Sequence, residues 1–256
     1  MHNPIFRSQH RRAFVGALAL LLPLQILGSG AQQAPRSPES TTFVSPATRA
    51  VAVLPKDPAA LPAGAEQIVP LTLEVVTRHI PLKGASRVLR QSVSRTRDRI
   101  HVAAVGGREW LFVRNPVDPR RVSGMLIDHD SRTIVVHEES DLRSRLGIDG
   151  WAEALLLGLD PEAVRGLQAA PQTRTIAGVR FTRHSAAQGA STSGDDVWWN
   201  GDLVLPGAFE FKDAFGTTRV AIERLARGVK DAYLEMPSSR FPSYKVMDLA
   251  ESLEVR

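Results

Sequence analysis

From Leu71 onward, apolar and polar residues alternate along a series of short stretches. A period of two is typical of β-strands that bury one face. Turn residues such as Gly106-Gly107 separate consecutive stretches and favour hairpins. The pattern predicts an antiparallel meander with strands at 71–80, 86–96, 99–105, 108–114, 121–129 and 132–139.

The spacing of the apolar residues changes after this meander. "ESDLRSRLG" predicts a short helix that Ser140 caps and Gly147 ends, and residues 149–170 predict one or two further helices. Later elements are predicted as strands at 174–186, 196–206 (kinked at Asn200-Gly201), 217–227 and 244–248, with a helical turn at 231–237. The fold class is therefore α+β, built on an antiparallel sheet.

The N-terminal region has a different character. Residues 1–31 combine arginines, the apolar run "AFVGALALLLPLQIL" and small residues, which together predict a secretory signal peptide. Residues 32–70 are rich in proline and predict an extended, mostly disordered tether. The remaining residues, 71–256, are expected to form a single domain.

Charge and cysteine content narrow the class of protein. The chain has 32 basic and 27 acidic residues, and three of the bases (Arg7, Arg11 and Arg12) lie in the predicted signal peptide. The exported chain would therefore carry 29 bases against 27 acids, interspersed, which disfavours a nucleic-acid partner. The absence of cysteine excludes disulfides and thiolate chemistry. Signal peptide and composition together predict a periplasmic or secreted protein whose exported chain does not span the membrane.

The stretch "LIDHDSRTIVVHEESDL" (126–142) is the densest group of polar candidates. A tight hairpin about His129-Asp130, with Asp128 opposite Ser131, would hold His129 and His137 about 20 Å apart, too far to share a metal. An acid–base pair of His129 with Asp128 or Asp130 stays open as an alternative, that of a secreted hydrolase. No nucleophile-elbow or phosphate-loop motif occurs, so no catalytic residue, metal or cofactor is predicted.

Aromatic residues offer a different kind of site. Adjacent strand residues point to opposite faces, so Trp198 and Trp199 are expected on different sides of their strand, whereas Trp110 and Phe112 share one side. These four residues are the candidates for lining an apolar ligand cavity, and core packing is their alternative role.

The order of "REWLFVRNPVDPRRVSGMLIDHDSRTIVVHEESDL", "IAGVRFTRH" and "VWWNGDLVLP" resembles an uncharacterised secreted bacterial domain family with the fold of the LolA/LolB periplasmic lipoprotein carriers. The resemblance covers about residues 71–206. It implies a strongly curved antiparallel sheet, an unclosed half-barrel, with helices covering the concave face. In those carriers the cavity holds lipid acyl chains.

Together these features predict a non-enzymatic periplasmic protein without a cofactor. It would bind a hydrophobic or amphipathic ligand, such as a lipid or lipoprotein, or a protein partner in the cell envelope. A hydrolase that uses His129 and a purely structural envelope protein are the alternatives.

Overall fold

A computed structural model of the protein describes residues 68–104, 107–159, 161, 164, 167–186, 196–213 and 216–254. The predicted signal peptide, almost all of the predicted tether and the tip of the Gly106-Gly107 hairpin lie outside the described residues. Within them, β-strands account for most of the regular structure, and the helices are short.

The described strands are β1 (Leu71–Pro81), β2 (Arg87–Arg95), β3 (Arg99–Ala104), β4 (Arg108–Arg114), β5 (Val122–Asp128), β6 (Thr133–His137), β7 (Leu167–Ile176), β8 (Val179–Ala186), β9 (Val197–Asn200), β10 (Leu205–Asp213), β11 (Gly216–Arg227) and β12 (Lys245–Asp248). The described helices are α1 (Glu139–Leu146), α2 (Trp151–Leu155), α3 (Asp231–Leu234), α4 (Pro237–Arg240) and α5 (Leu249–Glu254).

All twelve described strands belong to one sheet, in the order β12-β6-β5-β4-β3-β2-β1-β11-β10-β9-β8-β7. Neighbours are antiparallel except β12, which runs parallel to β6. β12 and β7 form the two edges, so the sheet is open, and the twist between neighbouring strands curves it. The predicted open, mostly antiparallel sheet is confirmed.

One face of the sheet carries the main hydrophobic core. Leu73, Val93, Val102 and Trp110 lie opposite one another on four adjacent strands and are all buried. We call the face that bears them the core face. Leu142 of α1 and Trp151, Ala154 and Leu155 of α2 belong to the same cluster.

The opposite face has a smaller core. Leu111, Met125, Ile127 and Ile134 form a separate cluster, against which Phe241 and Tyr244 pack. The Tyr233 ring of α3 stacks on the His101 ring, and Arg240 of α4 contacts Glu109. The family resemblance implied helices that cover the concave face. In the structure α1 and α2 join the core of one face, and α3 and α4 lie against the other.

The C-terminal half differs most from prediction. Residues 174–186, predicted as one strand, are a hairpin of β7 and β8, because Ala177 (φ 49°) and Gly178 (φ 78°) form a tight left-handed turn. β7 begins at Leu167, so residues 167–170 are strand rather than helix. The stretch 196–206 also divides, into β9 and the start of β10.

The first helix begins one residue earlier than its predicted cap. Glu138 rather than Ser140 is the N-cap residue, and the Asp141 carboxylate accepts a hydrogen bond from the Glu138 backbone N–H at 3.1 Å. Since aspartate three residues after the cap satisfies an orphan donor, this arrangement stabilises the helix start. Gly147 ends the helix in the left-handed conformation (φ 68°), as predicted.

Gly207 allows close packing between β10 and the Phe181 ring. A methyl group at Gly207 would lie 2.5 and 2.6 Å from two Phe181 ring carbons. The Phe181 ring is fully buried and cannot move aside freely. We therefore expect Gly207→Ala to lower the free energy of unfolding by about 1–3 kcal/mol, measured by urea denaturation.

The double variant Gly207→Ala/Phe181→Leu provides the control. Because leucine is smaller than phenylalanine and relieves the overlap, Gly207→Ala should lower the free energy of unfolding less in the Phe181→Leu variant than in the wild type. An unchanged cost would show that the two residues do not interact.

Candidate ligand-binding site

Three of the four predicted cavity residues lie together in the main core. Trp110 and Phe112 stack on the core face with ring centroids 5.5 Å apart, and Trp199 belongs to the same cluster. Trp198 is only partly buried, and the Arg174 guanidinium lies 4.6 Å from the centre of its ring. The opposite orientations predicted for Trp198 and Trp199 are thus present. Their role in ligand binding remains a prediction.

His137 lies beside Trp110 on the core face. Its ring centroid is 5.0 Å from that of Trp110, and the residue is buried. Burial lowers the pKa of His137, more than the nearby Asp141 carboxylate raises it, so the imidazole is neutral at pH 7. Both of its ring nitrogens are buried without a hydrogen-bond partner.

The polar atoms of this region are poorly paired. Several buried side-chain atoms among the described residues have no hydrogen-bond partner: Thr77 Oγ1, Gln91 Oε1 and Nε2, Arg95 Nε, both ring nitrogens of His137, and the indole nitrogens of Trp110, Trp151 and Trp199. A buried donor or acceptor left unpaired costs about 1–3 kcal/mol. Buried polar groups in folded proteins are mostly paired, so this concentration in one core requires an explanation.

Arg95 is the most unusual residue of the core face. Its side chain is completely buried, opposite Leu71 on one side and Ile100 on the other. Nη1 donates hydrogen bonds to the carbonyl oxygens of Leu155 and Val204, each at 3.1 Å, and Nη2 donates to that of Leu203 at 2.5 Å. Arg95 therefore links β2 to the C-terminal end of α2 and to the turn between β9 and β10.

The turn that Arg95 contacts is held from both sides. The Asn200 side chain accepts a hydrogen bond from the Leu203 N–H and donates one to the Arg180 carbonyl, both at 2.8 Å. Val204 has φ 48°, a conformation that is unfavourable for a β-branched residue. Such strain persists only where the surroundings stabilise it, and the Arg95 hydrogen bond to the Val204 carbonyl does so.

The histidine-rich hairpin has a longer turn than predicted. Asp128 lies opposite Thr133 rather than Ser131, so residues 129–132 form the turn. The cause is local, because Asp128 Oδ1 accepts hydrogen bonds from the backbone N–H groups of Asp130 and Ser131, both at 3.1 Å. The other Asp128 oxygen accepts from Arg108 at 2.9 Å.

His129 and His137 lie on opposite faces of the sheet. His137 pairs with Gly124 on the core face, while His129 contacts Phe241 and Tyr244 on the other. No group of metal-ligating side chains suited to an ion occurs among the described residues. The partners of His129 are Glu109 and Tyr244, not Asp128 or Asp130 as the hydrolase alternative required.

Glu109 is the centre of that polar cluster. Its carboxylate lies 2.7 Å from His101 Nε2, 3.1 Å from His129 Nε2 and 3.2 Å from Arg240 Nη1. Burial on its own would raise the pKa of Glu109, but hydrogen bonds from His101 and His129 and the charges of His101 and Arg240 lower it to about 2. The carboxylate is therefore ionised and accepts hydrogen bonds from all three side chains.

The charge on Glu109 also sets the hydrogen positions in the cluster. An ionised carboxylate only accepts, so Nε2 of both imidazoles carries a hydrogen. In the neutral form of His129, Nδ1 is then free to accept from the Tyr244 hydroxyl, 2.8 Å away. This cluster fastens residues 233–244 to the sheet and uses both Glu109 oxygens in doing so.

Sequence patterns contained one signal for Arg95. It follows Val93 at the inward-facing positions of β2, so an arginine stands where the alternation calls for an apolar residue. Glu109 carried a weaker signal. It lies on the face of β4 away from the core face, and both faces of that strand carry apolar residues. Neither pattern shows which distant groups the two side chains meet.

Several solved structures are similar to this one. A DUF1329 family protein from Desulfovibrio piger has a TM-score of 0.34 and 10% identity over 71% of this chain and 95% of its own. A LolA superfamily protein from Nitrosomonas europaea has 0.28 and 11%, covering 74% and 98%. PNGF-II has 0.37 and 11%, covering 72% of this chain and 32% of its own.

The neighbours thus include both an uncharacterised family and the LolA superfamily, the grouping that the sequence motifs resemble. The likeness is distant and does not extend to a ligand or an activity. No protein-family model and no curated protein matches the sequence. No helix in the described ranges has the length and apolar character needed to cross a bilayer.

The Glu109 cluster predicts a loss of stability in acid. Folding lowers the Glu109 pKa from 4.5 to about 2. The ionised carboxylate therefore makes its full contribution to the free energy of unfolding above pH about 4.5, and this contribution is lost as the pH falls towards 2. Glu109→Gln should unfold at lower urea concentration than the wild type at pH about 6, and the difference should narrow towards pH about 2.5.

Glu223→Gln is the matched control. Glu223 forms an exposed pair with Arg90 at 3.4 Å, which contributes little to stability. Its effect on the urea midpoint should be small at both pH values. If the difference in urea midpoint between the wild type and Glu109→Gln were the same at pH about 6 and about 2.5, the Glu109 carboxylate would not be stabilised in its ionised form.

Proposed function

We propose that the protein is a non-enzymatic binding protein of the cell envelope whose core face takes up a hydrophobic or amphipathic ligand. The observation that supports this most directly is the group of unpaired polar atoms within an otherwise apolar core. An amphipathic ligand supplies both apolar surface and hydrogen-bonding oxygens, so it satisfies both parts of that environment.

The chemistry of the unpaired atoms favours a ligand with acceptor oxygens. The indole nitrogens of Trp110, Trp151 and Trp199 are donors only. Thr77 and Gln91 add both donors and acceptors on adjacent strands of the core face. Ester, carboxyl or phosphate oxygens are complementary to these donors, and hydrocarbon is complementary to the surrounding valines and leucines.

The predicted aromatic residues take distinct roles in this proposal. Trp110, Phe112 and Trp199 would contact the apolar part of the ligand, since all three belong to the main core. Trp198, with its ring against Arg174, would border the site rather than line it. A purely structural protein would instead be expected to pair its buried donors within its own core.

The cellular location follows from the predicted signal peptide. Export would place the domain in the periplasm or outside the cell, where residues 32–70 would act as a tether. A partner in the envelope would then deliver or receive the ligand. The balanced charge of the exported chain favours a neutral or amphipathic cargo over nucleic acid.

Native mass spectrometry of protein purified from the periplasm tests the proposal. We expect bound lipid-like mass, or, after delipidation, saturable binding of a fluorescent fatty-acid probe. Protein that is isolated without ligand and also fails to bind the probe would contradict the proposed function.

Isosteric variants separate a ligand-binding role from a structural one. Gln91→Met and Thr77→Val remove unpaired buried polar atoms, so each should raise the stability of the ligand-free protein by about 1 kcal/mol. The same variants should weaken binding of an amphipathic probe, because its polar group loses a partner.

Thr72→Val is the matched control on the same strand. The Thr72 hydroxyl already donates a hydrogen bond to the Gly228 carbonyl at 2.9 Å, so its removal should lower stability and leave probe binding unchanged. If Gln91→Met and Thr77→Val also lowered stability without affecting binding, these groups would have structural roles only.

A further inference from the structure

The turn between β1 and β2 projects beyond the paired part of the sheet. β1 ends at Pro81, which lies opposite Gly216 of β11, and residues 82–86 belong to no strand. Gly84 in this turn has φ 100°, and no atom beyond its chain neighbours lies within 4 Å of the place that a Cβ would take. The turn is therefore surrounded by open space. We call residues 82–88 the hairpin tip.

Two apolar side chains of the hairpin tip face solvent. Leu82 is 75% exposed, and Val88 is 46% exposed. Val88 lies opposite Arg78 of β1, so an apolar and a cationic residue adjoin there. An exposed apolar residue that stands alone is ordinary on a protein surface. The charges around these two residues are what distinguish the hairpin tip.

The hairpin that bears the tip is strongly cationic. Between Glu74 and Asp98 the sequence has six arginines and lysines and no acidic residue. Three of these cations, Arg78, Lys83 and Arg87, are exposed and have no acidic partner among the side chains that the structure describes. The hairpin tip therefore presents uncompensated positive charge beside exposed apolar surface.

This combination is complementary to the surface of an anionic bilayer. Each lysine or arginine close to such a surface strengthens binding about fivefold, and a leucine can enter the boundary between head groups and acyl chains. A protein partner fits the hairpin tip less well, because a stable interface takes about 20–30 residues from each side. The hairpin tip is far smaller than that, whereas a bilayer can accept a single projecting turn.

We propose that the hairpin tip docks the protein on an anionic bilayer, with Leu82 entering the interface and the three unpaired cations contacting lipid phosphates. The inference goes beyond the proposed function and does not require a ligand in the core face. It supplies the contact with the envelope that a carrier of lipid-like cargo needs.

Sedimentation with vesicles tests the inference on the wild-type protein. Protein purified from the periplasm is mixed with vesicles of phosphatidylcholine alone, or of phosphatidylcholine with about 30 mol % phosphatidylglycerol. We expect binding to the anionic vesicles to be at least about tenfold tighter, and high salt to remove this preference. Equal binding to the two kinds of vesicle, or binding to neither, would overturn the inference. Uptake of single lipid molecules by the core face would leave the protein in the supernatant, so the two proposals are tested separately.

Lys83→Gln/Arg87→Gln should weaken binding to the anionic vesicles about 20-fold, as expected for the loss of two cations at the bilayer surface. Arg227→Gln/Lys230→Gln is the matched control. It removes the same two types of side chain from exposed positions, and Arg227 lies opposite Leu71, at the other end of β1 from the hairpin tip. This control should bind within about twofold of the wild type. Equal weakening by the two double variants would overturn the inference, because net charge alone would then explain the binding.

Leu82→Ser should weaken binding to the anionic vesicles about tenfold, because its side chain no longer contributes apolar surface to the interface. Leu253→Ser is the matched control, since Leu253 of α5 is 53% exposed and lies outside the hairpin tip. It should bind like the wild type. A Leu82→Ser variant that binds as tightly as Leu253→Ser would overturn the proposed docking.

Discussion

The guanidinium of Arg95 joins three parts of the chain that are distant in sequence. Its carbonyl partners lie 60, 108 and 109 residues away, at the end of α2 and in the turn between β9 and β10. Removing such a charge from water is unfavourable, and only donors satisfied in place can offset the cost. Its hydrogen bonds help to hold α2 over the sheet, beside the apolar contacts of that helix, and to stabilise the unfavourable conformation of Val204.

Buried polar groups are hydrogen-bonded to different extents on the two faces of the sheet. On one, Glu109 is surrounded by His101, His129 and Arg240, so charge and hydrogen bonds are balanced within the protein. On the core face, Arg95 and Gln91 keep unpaired atoms. The fully paired Glu109 cluster can hold the C-terminal segment in place. Unpaired buried groups on the core face still have the capacity to form hydrogen bonds with another molecule.

Local pattern predicted the first half of the sheet well, because those strands alternate regularly and short turns join them. β4 was predicted with its observed bounds, Arg108–Arg114. The pattern failed at β7 and β8, where Ala177 takes the left-handed conformation that Asn or Gly usually signals. It also missed most of β10, although Phe209 and Phe211 alternate with Glu210 and Lys212, because Pro206-Gly207 signals a turn and the alternating run after it is short.

Sequence by itself determined the mostly antiparallel sheet, the alternation that buries Trp110 and Phe112 together, and the turn formed by Asp128. These depend on neighbours along the chain, which sequence order specifies. Only the tertiary structure decided that Arg95 meets the Leu155 carbonyl, that His129 pairs with Glu109, and that α3 and α4 lie on the face away from α2. Such contacts join residues far apart in the chain, and they exist only once the strands have assembled into one sheet.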